Sequence, residues 1–284
     1  MERSNFVFNN MEDIFAVSKK KQRNHIMPNN HFHSSYEVYY LLEGERLFFI
    51  KDRTVVLKAG DLMILHPNVL HRTANGNQPQ HEKIILNFKE EFLSASKGGF
   101  FETLHPQFQN DYVVISFPLQ NKMYVEDLLQ RIVEEAKEKK SIYETVIQTL
   151  IMQLLIYCSR FMEEHDSKPL EYLNPMHERI SEVVRYINAH YKNELTLPYV
   201  ADKFYVSPYY LSRAFKEVTG FNFVEYVNSV RIKEAIALLE ETDLKVYLIA
   251  AKTGYGSITH FERVFKEITG RTPLYFRKRK QLRP

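Results

Sequence analysis

The chain has 284 residues, of which 44% are hydrophobic and 26% charged, and its formal net charge is +3. This length and apolar content predict two domains with hydrophobic cores of their own, while the single cysteine, Cys158, excludes an internal disulfide and fits a reducing compartment. The sequence has no signal peptide, long uncharged apolar run, glycine-rich phosphate loop or Ser/His/Asp arrangement, so we expect a cytoplasmic protein that is not an enzyme and needs no cofactor.

The first part of the chain has the pattern of an antiparallel β domain. From about Phe6 to Phe117, apolar and polar residues alternate over short runs that Gly and Asn separate. Three of these runs are Leu47–Ile50, Thr54–Leu57 and Lys83–Phe88. Such alternation is typical of strands with one buried face.

Two groups of polar residues lie within this β pattern. The first contains His31, His33, Glu37 and Gly44, and the second contains Gly60, Asp61, Pro67 and His71. Together they resemble the two cupin motifs, although the second is one residue short between Pro67 and His71. The resemblance implies a small β-barrel, which we place at 1–120.

Residues 31, 33 and 37 share the parity of one strand face, so their side chains would point into the barrel, with His71 on a facing strand. His66 has the opposite parity to His71 and is expected to face outward. Three imidazoles and a carboxylate are suited to Fe, Mn, Ni or Zn. The same groups also suit an effector pocket without metal, or a purely structural role.

The region 121–162 has a helical pattern. Met123–Lys140 predicts one helix, and Ile142–Met162 predicts a second with a wide apolar stripe that contains Cys158. We expect the hairpin to pack partly on the barrel and partly on a second subunit; packing on its own domain alone is the alternative. The hydrophilic stretch 163–175 is the predicted linker between domains.

Residues 176–284 contain a unit that occurs twice. Arg213–Gly220 and Arg263–Gly270 lie 50 positions apart and differ at only two places. In the first copy a short helix begins after Thr196, a turn follows, and a second helix begins at Ser207-Pro208 and ends at Gly220. The second copy repeats this order with a helix capped by Ser257 and one extra residue in its turn. Each copy is the order of a helix-turn-helix, and the stretch of about 223–240 predicts a helix between them.

The second helix of each unit has an outward polar side. Phe215 in the first copy and Phe261 in the second are predicted to face inward. The outward residues are Tyr209, Ser212, Arg213 and Lys216 in the first helix, and Thr259, Glu262, Arg263 and Lys266 in the second. Arginine, hydroxyl and carboxylate side chains on an exposed helix are suited to base edges in the major groove. Solvated helical hairpins without a ligand are the plainer alternative.

The charge distribution agrees with a nucleic-acid partner. Residues 174–284 hold 18 Lys and Arg against 12 Asp and Glu, a difference of +6, whereas 1–173 hold 20 against 23, a difference of −3. The basic residues near the end include Arg277-Lys-Arg-Lys280.

Residues from about 176 to 280 resemble the DNA-binding domain of AraC/XylS-type bacterial transcription regulators. The matching positions are Gly254, Tyr255, Phe261, Arg263, Phe265, Lys266, Gly270, Thr272, Pro273 and Arg277. The resemblance implies base contacts at Tyr209, Ser212 and Arg213, and at Ile258, Thr259, Glu262 and Arg263. For the lysines on the same outward sides, Lys216 and Lys266, we expect phosphate contacts instead. Ile258 departs from the polar residue usual there, and Tyr255 replaces the commoner Phe with a hydroxyl that could reach a phosphate.

The resemblance also bears on the barrel, because regulators of this type often carry His-x-His-x3-Glu without metal and bind small effectors such as sugars. We therefore predict a multidomain α+β chain: an effector-sensing cupin-like barrel (1–120), a dimerising helical hairpin (121–162), a linker (163–175) and a double helix-turn-helix domain (176–284). The candidate effector residues are His31, His33, Glu37, Tyr39 and His71. The expected partners are duplex operator DNA, an effector for which a sugar is the choice by analogy, a second copy of the chain, and RNA polymerase for an activator; no membrane is expected.

Two rival interpretations stay open. In one, the barrel is a metal-dependent cupin enzyme fused to a DNA-binding module, with the metal at His31, His33, Glu37 and His71. In the other, the chain is a regulator that has no effector.

Overall fold

The computed structural model of the protein describes residues 5–9, 14–24, 32–93, 100–165 and 173–281. The strands are β1 (Phe6–Asn9), β2 (Phe15–Arg23), β3 (Tyr36–Glu43), β4 (Glu45–Ile50), β5 (Arg53–Lys58), β6 (Asp61–Leu65), β7 (His71–Asn75), β8 (Gln80–Phe88) and β9 (Tyr112–Ser116). The helices of the same domain are α1 (Glu90–Leu93), α2 (Leu119–Glu138) and α3 (Tyr143–Glu164), with short 3₁₀ turns at Phe100–Thr103 and Pro106–Gln109.

The strands form two antiparallel sheets, which confirms the predicted β domain. One sheet has the order β1-β2-β8-β3-β6-β9, and the other has the order β5-β4-β7. In the larger sheet, Val38 of β3 lies between Leu86 of β8 and Ile64 of β6. Because side chains alternate along a strand, Val38 packs towards the helices while its neighbour Tyr39 packs into the space between the sheets.

The helical hairpin α2–α3 covers the outer face of the larger sheet. Its apolar positions, including Cys158, are buried in one cluster with that sheet. Burial raises the pKa of the Cys158 thiol, so this side chain acts as a small core residue. By length and mean hydropathy α3 would qualify as a membrane-crossing helix, but half of its apolar window is buried within the domain, as in a core helix. The wide stripe therefore has a partner within the same chain.

The second domain is helical. It contains α4 (Pro175–His190), α5 (Leu197–Lys203), α6 (Pro208–Thr219), α7 (Phe223–Glu241), α8 (Val246–Lys252), α9 (Ile258–Thr269) and α10 (Pro273–Gln281). The stretch 166–172, which is most of the predicted linker, lies outside the described residues. Helix α4 was not predicted as a separate element; its N-cap is Asn174, whose side chain accepts a hydrogen bond from the backbone N–H of His177.

The predicted caps of the repeated units are present. The side chains of Thr196, Ser207 and Ser257 each accept a backbone N–H in the first turn of α5, α6 and α9. The second helix of each unit, α6 or α9, ends at a glycine in the left-handed region: Gly220 has φ 77° and Gly270 has φ 69°. Each unit also has its own buried cluster, one around Phe215 and one around Phe261. The two copies are thus two small cores joined by α7.

The first helical unit packs on the outer face of the three-stranded sheet. Phe49 of β4 and Leu70 are buried in the same cluster as the core of this unit. The Phe49 ring lies 6.0 Å from the ring of Phe221 and 6.2 Å from that of Tyr226, measured between centroids. The Tyr226 hydroxyl donates a hydrogen bond of 3.0 Å to the backbone carbonyl of Lys51. One side of the barrel is therefore covered by helices α2 and α3, and the other by the second domain.

The turns of the two units differ in backbone strain. Tyr205 has φ 55°, whereas the matching position of the second unit is Gly254 with φ 88°. A side chain in this left-handed region costs about 1–2 kcal/mol, so Tyr205→Gly is expected to raise the free energy of unfolding by about 1 kcal/mol. Urea denaturation followed by circular dichroism measures the difference.

Gly254→Ala is the matched comparison, because it should move stability in the opposite direction. A Cβ at this position would lie 2.8 Å from the carbonyl oxygen of Lys192 and 2.9 Å from that of Tyr191. A more stable Gly254→Ala variant, or a less stable Tyr205→Gly variant, would contradict this account of the turns.

Candidate functional site

Three of the predicted effector residues meet at one end of the barrel interior. Glu37 projects from β3, His71 from β7 on the facing sheet, and His33 from the segment before β3. Their ligand-type atoms lie within 4.8 Å of one another. Glu37 Oε2 lies 3.2 Å from His33 Nε2 and accepts a hydrogen bond of 3.1 Å from the amide of Asn87. We call His33, Glu37 and His71 the interior triad.

The hydrogen bonds and charges of the interior triad set its protonation. Burial lowers the pKa of His33, but the hydrogen bond and charge of Glu37 outweigh it, and the pKa is raised. Burial raises the pKa of Glu37, yet the hydrogen bonds from His33 and Asn87 and the charge of His33 bring it well below its usual range. Because His33 Nδ1 also lies 2.7 Å from the carbonyl of Ser35, both of its nitrogens face acceptors, as in an imidazolium. His33 and Glu37 therefore form an ion pair.

His71 has the opposite character. Burial lowers its pKa, and Nδ1 donates a hydrogen bond of 2.9 Å to the carbonyl of Val69. A neutral imidazole protonated at Nδ1 has its lone pair on Nε2. Two histidines and a carboxylate are a donor set that divalent transition metals use. A metal here would have to displace the proton that His33 shares with Glu37, whereas a ligand with hydroxyl or amide groups could bind beside the intact ion pair.

The remaining predicted positions are distributed differently. Tyr39 lies deeper on the same interior face, with its hydroxyl beside the guanidinium of Arg46. His31 lies outside the described residues. His66 packs against Tyr36 on the helix-facing side of the larger sheet, with ring centroids 5.0 Å apart, which agrees with its predicted opposite parity.

Sequence reasoning missed several polar residues of the interior, among them Arg46, Lys83 and Asn87. Arg46 alternates with Phe48 and Ile50 along β4, so it occupies an inward position among apolar residues. The sequence signal was a basic residue at a position that alternates with buried apolar residues of the same strand. Such a position can be assigned to the interior only when the strands that face it are known.

The outward sides of α6 and α9 are open to solvent. In α6, Leu211 and Phe215 are buried, and the predicted outward residues Tyr209, Ser212, Arg213 and Lys216 are exposed. In α9, Phe261 and Phe265 are buried, and Ile258, Thr259, Glu262, Arg263 and Lys266 are exposed. Arg263 is 3.6 Å from Glu267, a solvent-exposed pair that leaves the guanidinium accessible.

Two other residues at which the helical domain resembles the family, Tyr255 and Arg277, have structural roles. The Tyr255 side chain is buried, and its hydroxyl donates a hydrogen bond of 3.2 Å to Asn228 of α7. The expectation that this hydroxyl reaches a phosphate is therefore wrong, because α7 already binds it. Arg277 of α10 donates to the backbone carbonyls of Thr242 and Leu244, so it fastens the end of α7 to α10.

Comparisons with known proteins cover both domains. The family described as the AraC-like ligand binding domain matches residues 15–155, and the family described as a helix-turn-helix domain matches residues 200–279. An uncharacterized HTH-type transcriptional regulator of Staphylococcus aureus is 25% identical over 240 residues, which are 84% of this chain and 31% of that protein. The uncharacterized regulator YtdP of Bacillus subtilis is 26% identical in an alignment of 219 residues that covers 68% of this chain and 27% of that protein. The chain spans about a third of the length of these relatives.

Two solved structures are also similar. The C-terminal domain of AraT, a response regulator from Geobacillus stearothermophilus, is 34% identical and covers 38% of this chain and 88% of its own, with a TM-score of 0.36. ToxT from Vibrio cholerae, solved with an unsaturated fatty acid bound, is 16% identical and covers 94% of this chain and 96% of its own, with a TM-score of 0.40. The matched domains, in this order along the chain, show that the protein belongs to the AraC family of helix-turn-helix transcriptional regulators.

Proposed function

We propose that this AraC-type regulator recognises operator DNA through the outward residues of α6 and α9, under the control of a small molecule bound in the barrel interior. The observation that carries the proposal is the repetition itself. Two helices with separate cores and identical caps each present an exposed arginine at the same position, Arg213 and Arg263. Arginine and hydroxyl side chains in this arrangement suit direct contact with base edges.

The contact between the domains supports a route from barrel to DNA. Consecutive residues of β7 point to opposite faces of their sheet: His71 belongs to the interior triad, and Arg72 faces the second domain. Arg72 donates a hydrogen bond to the carbonyl of Gly220, which caps the end of α6. Its guanidinium also lies 5.6 Å from the centroid of the Phe221 ring. A ligand that moves β7 would thus act directly on the end of the first recognition helix.

The side chains of α2 support self-association through the helical hairpin. Leu119 is 76% exposed and Met123 is 69% exposed, although both are apolar. Exposed apolar residues on one helix are typical of a subunit contact, and a homodimer would pair two DNA-binding domains. The proposed protein acts in the cytoplasm on operator DNA and, if it is an activator, contacts RNA polymerase. A sugar as the effector is supported only by analogy with the family.

Selection of duplexes from a random library by the full chain tests the proposal. We expect enrichment of a sequence with two conserved elements about one helical turn, roughly 34 Å, apart for each bound chain. Footprinting on a selected duplex should show protection in two adjacent major-groove segments. Retention of duplexes without any enriched sequence would contradict specific recognition, even if binding were tight, because phosphate contacts alone carry no sequence information.

A further inference from the structure

Lys83 of β8 lies inside the barrel. Ile84 and Leu86 of the same strand pack towards the helices, so Lys83 points to the opposite face, into the space between the two sheets. The residue is only 5% exposed, and its ammonium lies 5.5 Å from the centroid of the Tyr39 ring. Lysine is almost never fully buried without a partner, because its charged group loses its hydration. The position of Lys83 therefore calls for an explanation.

The side-chain amine of Lys83 is not fixed by the protein. Within the part of the chain that the structure describes, it makes no hydrogen bond and no salt bridge. The charge of Glu37 favours the ammonium, but Glu37 Oε2 lies 3.2 Å from His33 Nε2 and accepts a hydrogen bond from Asn87. The amine can thus change its protonation and its covalent state without breaking a bond to a neighbour.

The environment of Lys83 favours its neutral form. Burial lowers the pKa of Lys83 to about 8, the positive charges of Arg46 and Lys20 act in the same direction, and Glu37 opposes them. With this pKa, about a quarter of the amine is neutral at pH 7.5, against about one part in a thousand for a lysine in water. The neutral amine is the nucleophilic form, and a lysine placed in an apolar pocket is suited to attack a carbonyl carbon.

The surroundings of the amine are apolar. Buried side chains from four strands form one cluster with Tyr39 between the sheets: Leu41, Phe48, Leu57 and Met63. An imine is a weaker base than an amine, so its formation here would remove the cost of a buried ammonium. The same walls exclude water, which would otherwise hydrolyse the imine. A ligand that fits this region combines one carbonyl group with an apolar body.

Gln22 provides a hydrogen-bond acceptor on the same face. It lies on β2 opposite His81, which places it diagonally beside Lys83, two residues further along β8. Its Oε1 atom is buried, and none of the residues described by the structure donates a hydrogen bond to it. The addition of an amine to a carbonyl gives a carbinolamine, whose O–H group is a donor that suits this acceptor.

We infer that the effector of this barrel is a small aldehyde with an apolar body, which forms a reversible imine with Nζ of Lys83 and packs against Tyr39 and Phe48. The lone pair of Nζ forms the C–N bond, and the carbonyl oxygen leaves as water with both hydrogens of the neutral amine. No oxidant or reductant takes part. This inference rests on the proposed function, since it names the ligand class and the anchoring residue of the same barrel.

Reductive trapping on the full chain tests the inference. Sodium cyanoborohydride converts an imine to a stable secondary amine and so marks the lysine that formed it. With benzaldehyde or hexanal at limiting concentration and pH 7.5, we expect peptide mass spectrometry to show at least about tenfold more label on Lys83 than on Lys58, an exposed lysine of β5. Benzyl alcohol, which has no carbonyl group, should label neither. Equal labelling of the two lysines, or no label on Lys83, would overturn the inference.

Variants of Lys83 connect the label with binding. Lys83→Met keeps an unbranched apolar chain of similar length but has no amine. Benzaldehyde should raise the melting temperature of the unchanged chain and of Lys58→Met in a saturable way, and leave that of Lys83→Met nearly unchanged. Circular dichroism without ligand checks that each variant is folded, and trapping on the unchanged chain decides the inference if Lys83→Met is not. An equal rise in a folded Lys83→Met variant would show binding without an imine and would contradict the inference.

DNA binding separates this inference from the proposed function. Benzaldehyde should change the affinity of the unchanged chain for a selected duplex by about fivefold or more. It should leave the affinity of Lys83→Met unchanged, although that variant retains the exposed lysines Lys216 and Lys266. If the unchanged chain selects no DNA sequence, the proposed function fails whatever is trapped at Lys83. If it selects DNA but Lys83 is not labelled, or is labelled without a change in affinity, the aldehyde inference alone fails.

Discussion

Phe261→Ala is expected to lower the free energy of unfolding of the helical domain by about 3–5 kcal/mol. The Phe261 side chain is fully buried in α9, and its ring lies 5.3 Å from that of Tyr255 and 5.5 Å from that of Phe265, measured between centroids. Removing it leaves a cavity in the small core of the second unit, where few other side chains can fill the space. Urea denaturation monitored by the far-ultraviolet circular dichroism of the helices measures the loss.

Tyr209→Ala is the matched control for this prediction. Tyr209 has an aromatic ring on the equivalent helix of the first unit, but its side chain is 78% exposed. Its truncation should change stability by less than about 0.5 kcal/mol. Similar losses for the two variants would mean that the inward and outward faces of these helices have been assigned wrongly.

Arg263→Ala and Arg213→Ala should each weaken binding to a selected duplex by about 1–3 kcal/mol, which is about 5- to 150-fold. Each arginine is exposed on the outward side of its helix, where it can reach the paired acceptors of a guanine. The loss should be concentrated at particular base pairs, so that the variants tolerate substitutions there. Fluorescence anisotropy with a set of single-base variants of the duplex measures both effects.

Two comparisons make the arginine prediction specific. Lys266→Ala should weaken binding to selected and random duplexes to a similar degree, and should reduce the salt dependence by about one unit of slope. Arg179→Ala, at an exposed arginine of α4, should leave binding unchanged. An equal loss on selected and random DNA for Arg213→Ala and Arg263→Ala would show that they contact phosphates only.

The helical domain was predictable from sequence because its signals are local. Helix α7 was expected over about 223–240 and is observed at Phe223–Glu241, and the caps Ser207, Gly220 and Gly270 lie where their residue types indicated. Caps and 3.6-residue periodicity depend only on neighbours along the chain. Because the unit is duplicated, the same local signals occur a second time and support the same assignment.

The barrel was predictable only in outline, because its order depends on pairing between distant residues. Alternation identified the runs that became β4, β5 and β8, but not that β8 lies between β2 and β3. Without this order, Lys83 and Arg46 could not be assigned to a common interior, whereas Glu37 and His71 were assigned to one by their resemblance to cupin motifs. Phe49 and Leu70 pack on the helical domain because the surfaces of the two domains are complementary. Such complementarity between distant parts of the chain cannot be predicted from a local sequence pattern.

The covering of the smaller sheet by the second domain means that the two halves of this chain are not interchangeable parts. Cutting the chain near residue 170 would leave Phe49 and Leu70 bare on one fragment and the Phe221 and Tyr226 rings bare on the other. Each fragment would expose an apolar patch, through which it would aggregate or self-associate. If DNA-binding domains were exchanged among relatives, both surfaces of this contact between the domains would have to be exchanged together. The outer residues of β4 and β7 should therefore evolve together with α6 and α7 rather than with the ligand.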